Sequence, residues 1–182
     1  MFDDDKQGDS NGDSDKQLDA GETIELSVTL KNEGSAASDI VTGELICSSP
    51  EINLIKNVAS FGKISAGGSR TSDGKFVFSI DKDCQEHHIN GMDPIEFVLT
   101  IKDGSSSISE HFQVNIYAPK IEIGNQKITW TSNGNTTVEA GETVKMNIDL
   151  MNIGQAEATG LKAVLISVSY THLRAHETGA YL

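Results

Sequence analysis

The sequence has little of several residue types on which particular protein classes depend. Its 182 residues include two cysteines, three prolines and one tryptophan. Cys47 and Cys84 are too few for a disulfide framework, and they could form a single bridge or remain two separate, partly buried thiols. The scarcity of proline beside 17 glycines and many serine, asparagine and aspartate residues suits short strands joined by turns.

Positive charge is also scarce. Lysine and arginine number 14 against 27 aspartates and glutamates, which gives a formal net charge of −13. Nucleic acid binding requires clustered basic residues, and docking on anionic lipid requires a basic surface. We therefore expect neither as a partner, whereas an acidic chain can attract divalent cations.

Long hydrophobic runs are missing as well. No apolar stretch approaches the roughly 20 residues of a membrane-spanning helix, so we expect no membrane insertion. The first six residues, MFDDDK, lack the apolar stretch of a signal peptide. An internal fragment, which the repeat described next indicates, would lack a leader whatever its location.

One block of sequence occurs twice. The segment LDAGETIELSVTLKNEG at 18–34 aligns without a gap with VEAGETVKMNIDLMNIG at 138–154, and Ala36 then matches Ala156. A long-period repeat indicates that one structural unit is used more than once. A module of an array usually positions or binds something and seldom catalyses a reaction.

Alternating apolar residues predict half-buried strands in both halves of the chain. In the first half the alternation covers Thr23–Lys31, Ala37–Cys47, Lys75–Ile80, Ile95–Ile101 and Ile108–Ile116, with shorter apolar pieces over 52–64. Turn signals recur about every ten residues and no stretch has a helical period. The expected fold class is all-β, an antiparallel sandwich of two sheets with about six or seven strands.

The expected organisation has four parts. Residues 1–17 are an acidic segment that would be disordered alone or ordered by a cation, and 18–118 form the sandwich module. Ala118-Pro119 marks a boundary, after which 119–166 supply a truncated second copy with three or so strands. Both units would expose a sheet edge, which carries a risk of aggregation.

The tail, 167–182, resembles a translated sequencing adapter and is excluded from fold reasoning. It contains His172 and His176, whose spacing on a helix could suit zinc. Leu173 occupies the position where a metalloprotease helix needs glutamate. Because the tail also resembles a translated adapter, we expect no zinc site there.

The acidic loop before the first repeat is a candidate calcium site. With Asn11 as the first position of an EF-type loop, side-chain oxygens fall at the first, third, fifth, ninth and twelfth positions. Lys16 occupies the sixth position, where that loop needs glycine, and a strand follows in place of a helix. The candidate ligands are Asp9, Asn11, Asp13, Asp15, Asp19 and Glu22.

A purely structural role for these carboxylates is the alternative. Asp19 or Glu22 would then accept backbone hydrogen bonds at the start of the strand. The second copy carries the far less charged loop Ser132–Thr137, yet it keeps Glu139 and Glu142. The Ala-Gly-Glu-Thr block is therefore expected to serve the fold in both copies, with a cation only at the first.

Catalytic chemistry has weak support in the sequence. Cys84 lies close to His87 and His88, a pairing that could provide a nucleophile and its base. No oxyanion feature or orienting residue accompanies them, so we interpret them as a polar loop and expect no catalytic residues. A lone tryptophan such as Trp130 is more often a core residue than a sugar-stacking one.

The repeated block, together with FGKISAG at 61–67 and the strand that ends at Asp103-Gly104, resembles the immunoglobulin-like modules that follow the catalytic domain of secreted gingipain-type cysteine peptidases. The resemblance covers about residues 9 to 166 and extends to other bacterial surface proteins. Ala20 and Ala140 depart from it, because the family often has proline there. None of the family's catalytic residues lie in these modules.

The resemblance implies a secreted or cell-surface location and a non-catalytic accessory or spacer role, with neighbouring domains of the same polypeptide as partners. The alternative is an adhesin module that binds a host protein, a surface protein or a glycan without an attached enzyme. Calcium is the only cofactor expected.

Overall fold

The structure, a computed structural model, describes residues 1–88 and 92–166. The adapter-like tail with His172 and His176 lies outside this part. The described residues form strands and turns and contain no α-helix, so no helix among them could cross a membrane. The fold is all-β, as the alternating sequence pattern predicts.

Twelve strands run along the described chain. They are β1 (Phe2–Asp3), β2 (Thr23–Leu26), β3 (Thr29–Lys31), β4 (Val41–Cys47), β5 (Ile52–Lys56), β6 (Val58–Gly62), β7 (Ser69–Thr71), β8 (Phe76–Ile80), β9 (Ile95–Asp103), β10 (Ser106–Val114), β11 (Ile121–Thr131) and β12 (Val144–Asn152). Every pairing between these strands is antiparallel.

Ten of the strands build the sandwich. One sheet has the order β1-β2-β8-β5, the other has the order β10-β9-β4-β6, and β3 pairs with β7 beside them. The sheets meet through fully buried phenylalanines, of which Phe78 of β8 and Phe97 of β9 have ring centroids 4.9 Å apart. Gly43 of β4 is needed in this interior, because a Cβ there would lie 3.0 Å from the Phe61 ring.

The strand predicted over Thr23–Lys31 is divided in two. The chain leaves β2 at Ser27, whose N–H donates to the Met1 carbonyl at 3.0 Å, and Val28 accepts the N–H of Ser72 at 2.9 Å. The partner therefore changes from β8 to β7 within two residues. Similarly, β4 starts at Val41 and not at Ala37, because Ser38 donates its N–H to the Ile64 carbonyl outside any strand and the chain then bends at Asp39 and Ile40.

The acidic N-terminal segment belongs to the sandwich. Its β1 pairs with β2 in the register Phe2↔Leu26 and Asp3↔Glu25, and the Phe2 ring packs edge-on against Phe78. The segment expected to be disordered or ordered by a cation thus extends one sheet by a strand.

The second unit contributes β11 and β12, two strands in place of the three or so expected before residue 167. Its apolar stripe is uncovered. Ile24 and Leu26 of the first unit are 0% and 5% exposed, whereas their repeat equivalents Val144 and Met146 are 37% and 41% exposed. This hairpin therefore has a face suited to a second sheet and nothing among the described residues that covers it.

Candidate functional site: the acidic loop of the first repeat

The loop before β2 is organised around the Glu22 carboxylate. Its Oε1 accepts the backbone N–H of Asp13 and its Oε2 accepts that of Asp19, each at 3.0 Å. The Glu22 N–H donates in turn to the Asp19 carbonyl at 3.1 Å. A short chain reversal leaves these N–H groups without strand partners, and the glutamate satisfies them.

The aspartates of the loop coil the backbone locally. Asp13 accepts the N–H of Asp15 at 3.1 Å, and Asp15 accepts that of Gln17 at 2.7 Å. Such bonds to the N–H two residues on are typical of aspartate turns. Ser14 and Lys16 have φ values of 71° and 72°, so the loop alternates between these turns and left-handed residues.

The pairing of β1 brings Asp4 into the loop. Asp4 is buried and its Oδ2 accepts the N–H of Lys16 at 2.9 Å. Gly12 permits this close packing, since a Cβ there would lie 2.2 Å from the Asp4 carbonyl oxygen and 2.4 Å from Glu22 Oε1. Sequence reasoning missed Asp4, and its only signal was the run of three aspartates beside a possible strand.

Two overlapping groups of carboxylates result. Oxygens of Asp4, Asp13 and Glu22 lie within 4.8 Å of one another, and so do oxygens of Asp13, Asp15 and Asp19. The structure therefore brings four of the six sequence-predicted ligands together and adds Asp4. Asp13, common to both groups, joins them into one cluster of five, which we call the acidic cluster.

The other two sequence-predicted ligands lie elsewhere. Asp9 forms an ion pair with Lys56 of β5, and its N–H donates to Glu25 at 2.9 Å. Asn11 is exposed and forms a backbone bridge with Thr23. The EF-type spacing thus does not match the grouping of these side chains in the structure.

The electrostatics of the acidic cluster are unbalanced. Among residues 1–88 and 92–166, none of its five carboxylates has an ion-pair partner, although nearby Asp3, Asp9 and Glu25 each pair with a lysine. Burial and the neighbouring carboxylates, Glu22 first, raise the pKa of Asp19 to about 7. Burial also raises the pKa of Glu22.

The second repeat has the same hydrogen-bond frame without this charge. Glu142 Oε2 accepts the N–H of Glu139 at 2.8 Å, as Glu22 does with Asp19. Asn135 and Thr137 donate N–H bonds to Asn133 and Asn135, respectively, as Asp15 and Gln17 do to Asp13 and Asp15. This result agrees with a role of the repeated block in the fold of both copies.

The interior of the second loop is filled by a hydroxyl group. Thr131 is fully buried, and its Oγ1 lies 2.6 Å from Asn133 Oδ1 and 3.0 Å from the Asn135 carbonyl. The oxygens around the Thr131 hydroxyl group are neutral and can accept its proton in a hydrogen bond, so this loop has no buried charge that a cation would need to compensate.

A second group of polar residues lies near the boundary between the units. Atoms of Glu51, Cys84 and His87 lie within 4.8 Å of one another, and His87 bonds to Glu51 through Nε2 at 2.6 Å. Its Nδ1 lies 2.8 Å from the Asp93 carbonyl, so both ring nitrogens are engaged.

The Cys84 thiol is in its protonated form here. Burial and then the charge of Glu51 raise the pKa of Cys84 to about 12, and the thiol donates to the Gln85 carbonyl at 3.3 Å. A nucleophilic cysteine needs the thiolate, which this environment disfavours. Both cysteines are free, and the His88 ring lies beside Glu86 and Gln155.

Comparison of the chain with protein-family models and with curated proteins gives no match.

Proposed function

We propose that this chain is a non-catalytic immunoglobulin-like accessory or spacer module, followed by the start of a second copy, from a secreted or cell-surface bacterial protein. Its partners would be the neighbouring domains of the same polypeptide, with a cysteine peptidase domain as the expected neighbour. The observation that carries the proposal is the hydrogen-bond frame that recurs in both repeats.

The recurring frame extends beyond the loops. Asn32 donates from Nδ2 to the Ala36 carbonyl at 2.8 Å, and Asn152 donates to the Ala156 carbonyl at the same distance. A unit that is reproduced in such detail, and whose second copy has an uncovered apolar stripe, fits a tandem array in which each module packs its own sandwich. Tandem sandwiches commonly space or present other domains.

A contact between the units supports the spacer role. Gln155 N–H, in the turn after β12, donates to Glu86 Oε1 at 2.9 Å, and Ala156 is buried. The Gln155 side chain adds a second contact, with Nε2 lying 3.2 Å from His88 Nε2. A junction held by these hydrogen bonds of Gln155 would limit the bending between consecutive modules.

A glycan-binding adhesin is the second candidate, and one observation favours it. Trp130 was expected in the core, but it is 41% exposed, with Lys145 Nζ 5.6 Å from its ring centroid. An exposed aromatic face beside a cation can stack on a sugar ring.

Long-read sequencing of the genomic DNA on both sides of this reading frame tests the two candidates. A reading frame that joins a Cys–His peptidase domain to this module supports the accessory role. Flanking sequence that consists of further repeats or a sugar-binding domain supports the adhesin. An independent enzyme is the third alternative, and turnover of peptide or glycoside substrates by the isolated chain would contradict both proposals.

A further inference from the structure

We propose that the first repeat binds one calcium ion in the acidic cluster, through the carboxylates of Asp4, Asp13, Asp15, Asp19 and Glu22. This ligand set differs from the EF-type set that the sequence spacing predicts, because it includes Asp4 and omits Asp9 and Asn11. The proposal is independent of whether the module is a spacer or an adhesin.

The acidic cluster buries negative charge without a compensating cation. Asp4, Asp19 and Glu22 are 6%, 7% and 7% exposed, and no lysine, arginine or histidine among the described residues forms an ion pair with them. Carboxylates buried together are normally paired with a cation or bound to a metal ion, because their desolvation and mutual repulsion are costly. A divalent cation would offset both effects.

One carboxylate oxygen of the acidic cluster has no partner. Asp19 Oδ1 is buried and accepts no hydrogen bond from any residue that the structure describes. Asp19 is held in place, since its N–H donates to Glu22 and its backbone forms a bridge with Tyr117. A fixed, buried carboxylate oxygen with free lone pairs is the donor that a hard cation requires.

The spacing of the carboxylate oxygens is compatible with a calcium ion. Calcium binds oxygens at 2.3–2.6 Å, so two of its ligands can be no more than about 5 Å apart. Each of the two groups that share Asp13 meets this limit by itself, because the oxygens within a group lie within 4.8 Å of one another. The carboxylates of the loop, some exposed and some buried, also suit the irregular coordination geometry of calcium better than the strict octahedral coordination of magnesium.

The two loops differ in the charge of the side chains at equivalent positions. The second loop keeps the backbone frame but replaces Asp13 and Asp15 with Asn133 and Asn135, whose oxygens meet the hydroxyl group of Thr131. The turns of Asn133 and Asn135 thus form around a neutral hydroxyl group. Among the described residues, no hydroxyl group or ammonium group bonds to the carboxylates of the acidic cluster in the first loop, so these charged oxygens remain uncompensated.

An ion at this site would fasten the N-terminus to the sandwich. Asp4 directly follows β1, while Asp19 and Glu22 precede β2. A cavity of about 450 Å³ opens beside Asp13, Asp19 and Glu22 and gives a hydrated ion access. Its other lining residues include Lys82, whose ammonium group pairs with Asp83, and Pro119 and Glu157 of the second unit. Bound calcium would therefore stabilise both β1 and the region next to the junction.

Isothermal titration of CaCl₂ into the chelator-treated full chain tests the proposal. We expect one site with a dissociation constant on the order of 10⁻⁴ M, and weaker binding in a parallel titration with MgCl₂. Asp19→Asn, Asp15→Asn and Asp4→Asn should each weaken calcium binding at least about tenfold, because each removes a charged ligand. Asp15 is exposed, so its variant keeps the test valid if the buried variants fold poorly.

Two matched variants serve as controls. Asp9→Asn removes a ligand of the EF-type set, and Glu139→Gln changes the equivalent of Asp19 in the second loop; neither should alter the affinity. Absence of binding heat at millimolar calcium, with no rise in melting temperature on adding calcium, would overturn the proposal. The proposed ligand set would be wrong if Asp15→Asn and Asp4→Asn bound calcium as tightly as the wild type. It would also be wrong if Asp9→Asn lost calcium binding.

Discussion

The Glu22 carboxylate accepts the backbone N–H of Asp19 through Oε2 at 3.0 Å, and the same bond joins Glu142 to Glu139 in the second repeat at 2.8 Å. The same hydrogen bond therefore occurs in two different environments within one chain. Around Glu22 it lies within a buried group of carboxylates, whereas in the second repeat Glu139 is exposed and Glu142 is half-buried. The second repeat is therefore an internal control for experiments on the first.

Gly12→Ala should destabilise the protein and distort the acidic cluster. The added Cβ would lie 2.2 Å from the Asp4 carbonyl oxygen, which is a backbone atom and cannot move aside cheaply. We expect a loss of about 1–3 kcal/mol in the free energy of unfolding, measured by urea denaturation. Gly74→Ala is the control, because a Cβ there meets nothing within 4 Å. Similar losses for both variants would contradict the tight packing of Gly12.

Lys75→Met should destabilise the sheet that contains β1 and β2. Lys75 pairs with Asp3 at 2.9 Å and with the buried Glu25, and these two carboxylates raise the pKa of the lysine. Its removal leaves Glu25 without a cation, at a cost of about 1–2 kcal/mol, since Lys75 is partly exposed and water compensates in part.

Lys82→Met is the matched control for Lys75→Met. Lys82 pairs with Asp83, and both side chains are largely exposed, so chemical denaturation should detect almost no change. An equal effect of the two substitutions would show that the Lys75 contacts add nothing beyond a surface ion pair.

The Cys84 thiol should resist alkylation in the native protein, and its effect on stability should depend on alkaline pH. Its pKa of about 12 exceeds the ordinary value of 9.0, so the folded state retains a proton that the unfolded state loses. This contribution to stability is fully present below about pH 9 and decreases as the pH rises toward 12.

The Cys47→Ser variant isolates Cys84 for that measurement. Its reaction with a thiol reagent at about pH 8 should be slow in the native state and fast after unfolding in guanidinium chloride. Fast reaction of the native thiol would contradict the environment described here and would revive a nucleophilic role for Cys84.

Equivalent core substitutions in the two repeats should have unequal effects. Ile24 is fully buried, so Ile24→Ala should cost about 2–5 kcal/mol in urea denaturation. Val144, its repeat equivalent, is 37% exposed, so Val144→Ala should cost less than about 1 kcal/mol. A large loss at Val144 would mean that the stripe of the second hairpin is covered in solution.

The strands were largely predictable from alternation, whereas the grouping of the acidic residues was not. The pattern at Lys75–Ile80 corresponds to β8, and the pattern at Ile95–Ile101 to β9, because these strands lie inside the sandwich and each has a dry face. The short strands β1 and β7 have two and three residues, too few for a periodic signal, and β3 lies within the alternation that predicted a single strand over Thr23–Lys31. Ten strands therefore form where about six or seven were expected.

The acidic cluster depends on contacts distant in sequence. The pairing of β1 with β2 places Asp4 in the cluster. Asp9 lies outside the cluster because it pairs with Lys56, which is 47 residues further along the chain. Spacing within one loop cannot reveal either contact. The role of Glu22 as a backbone acceptor was predictable, since the second copy keeps Glu142 where the acidic loop is lost.

An amide-resolved NMR titration with calcium tests the central claim most directly. We predict that the amide signals of Asp13, Asp15, Asp19 and Glu22 shift and saturate with one equivalent bound, along with that of Lys16, which donates to Asp4. The signals of the corresponding second-loop residues Asn133, Asn135, Glu139 and Glu142 should stay in place. Equal shifts in both loops, or none in the first, would contradict a calcium site in the first repeat.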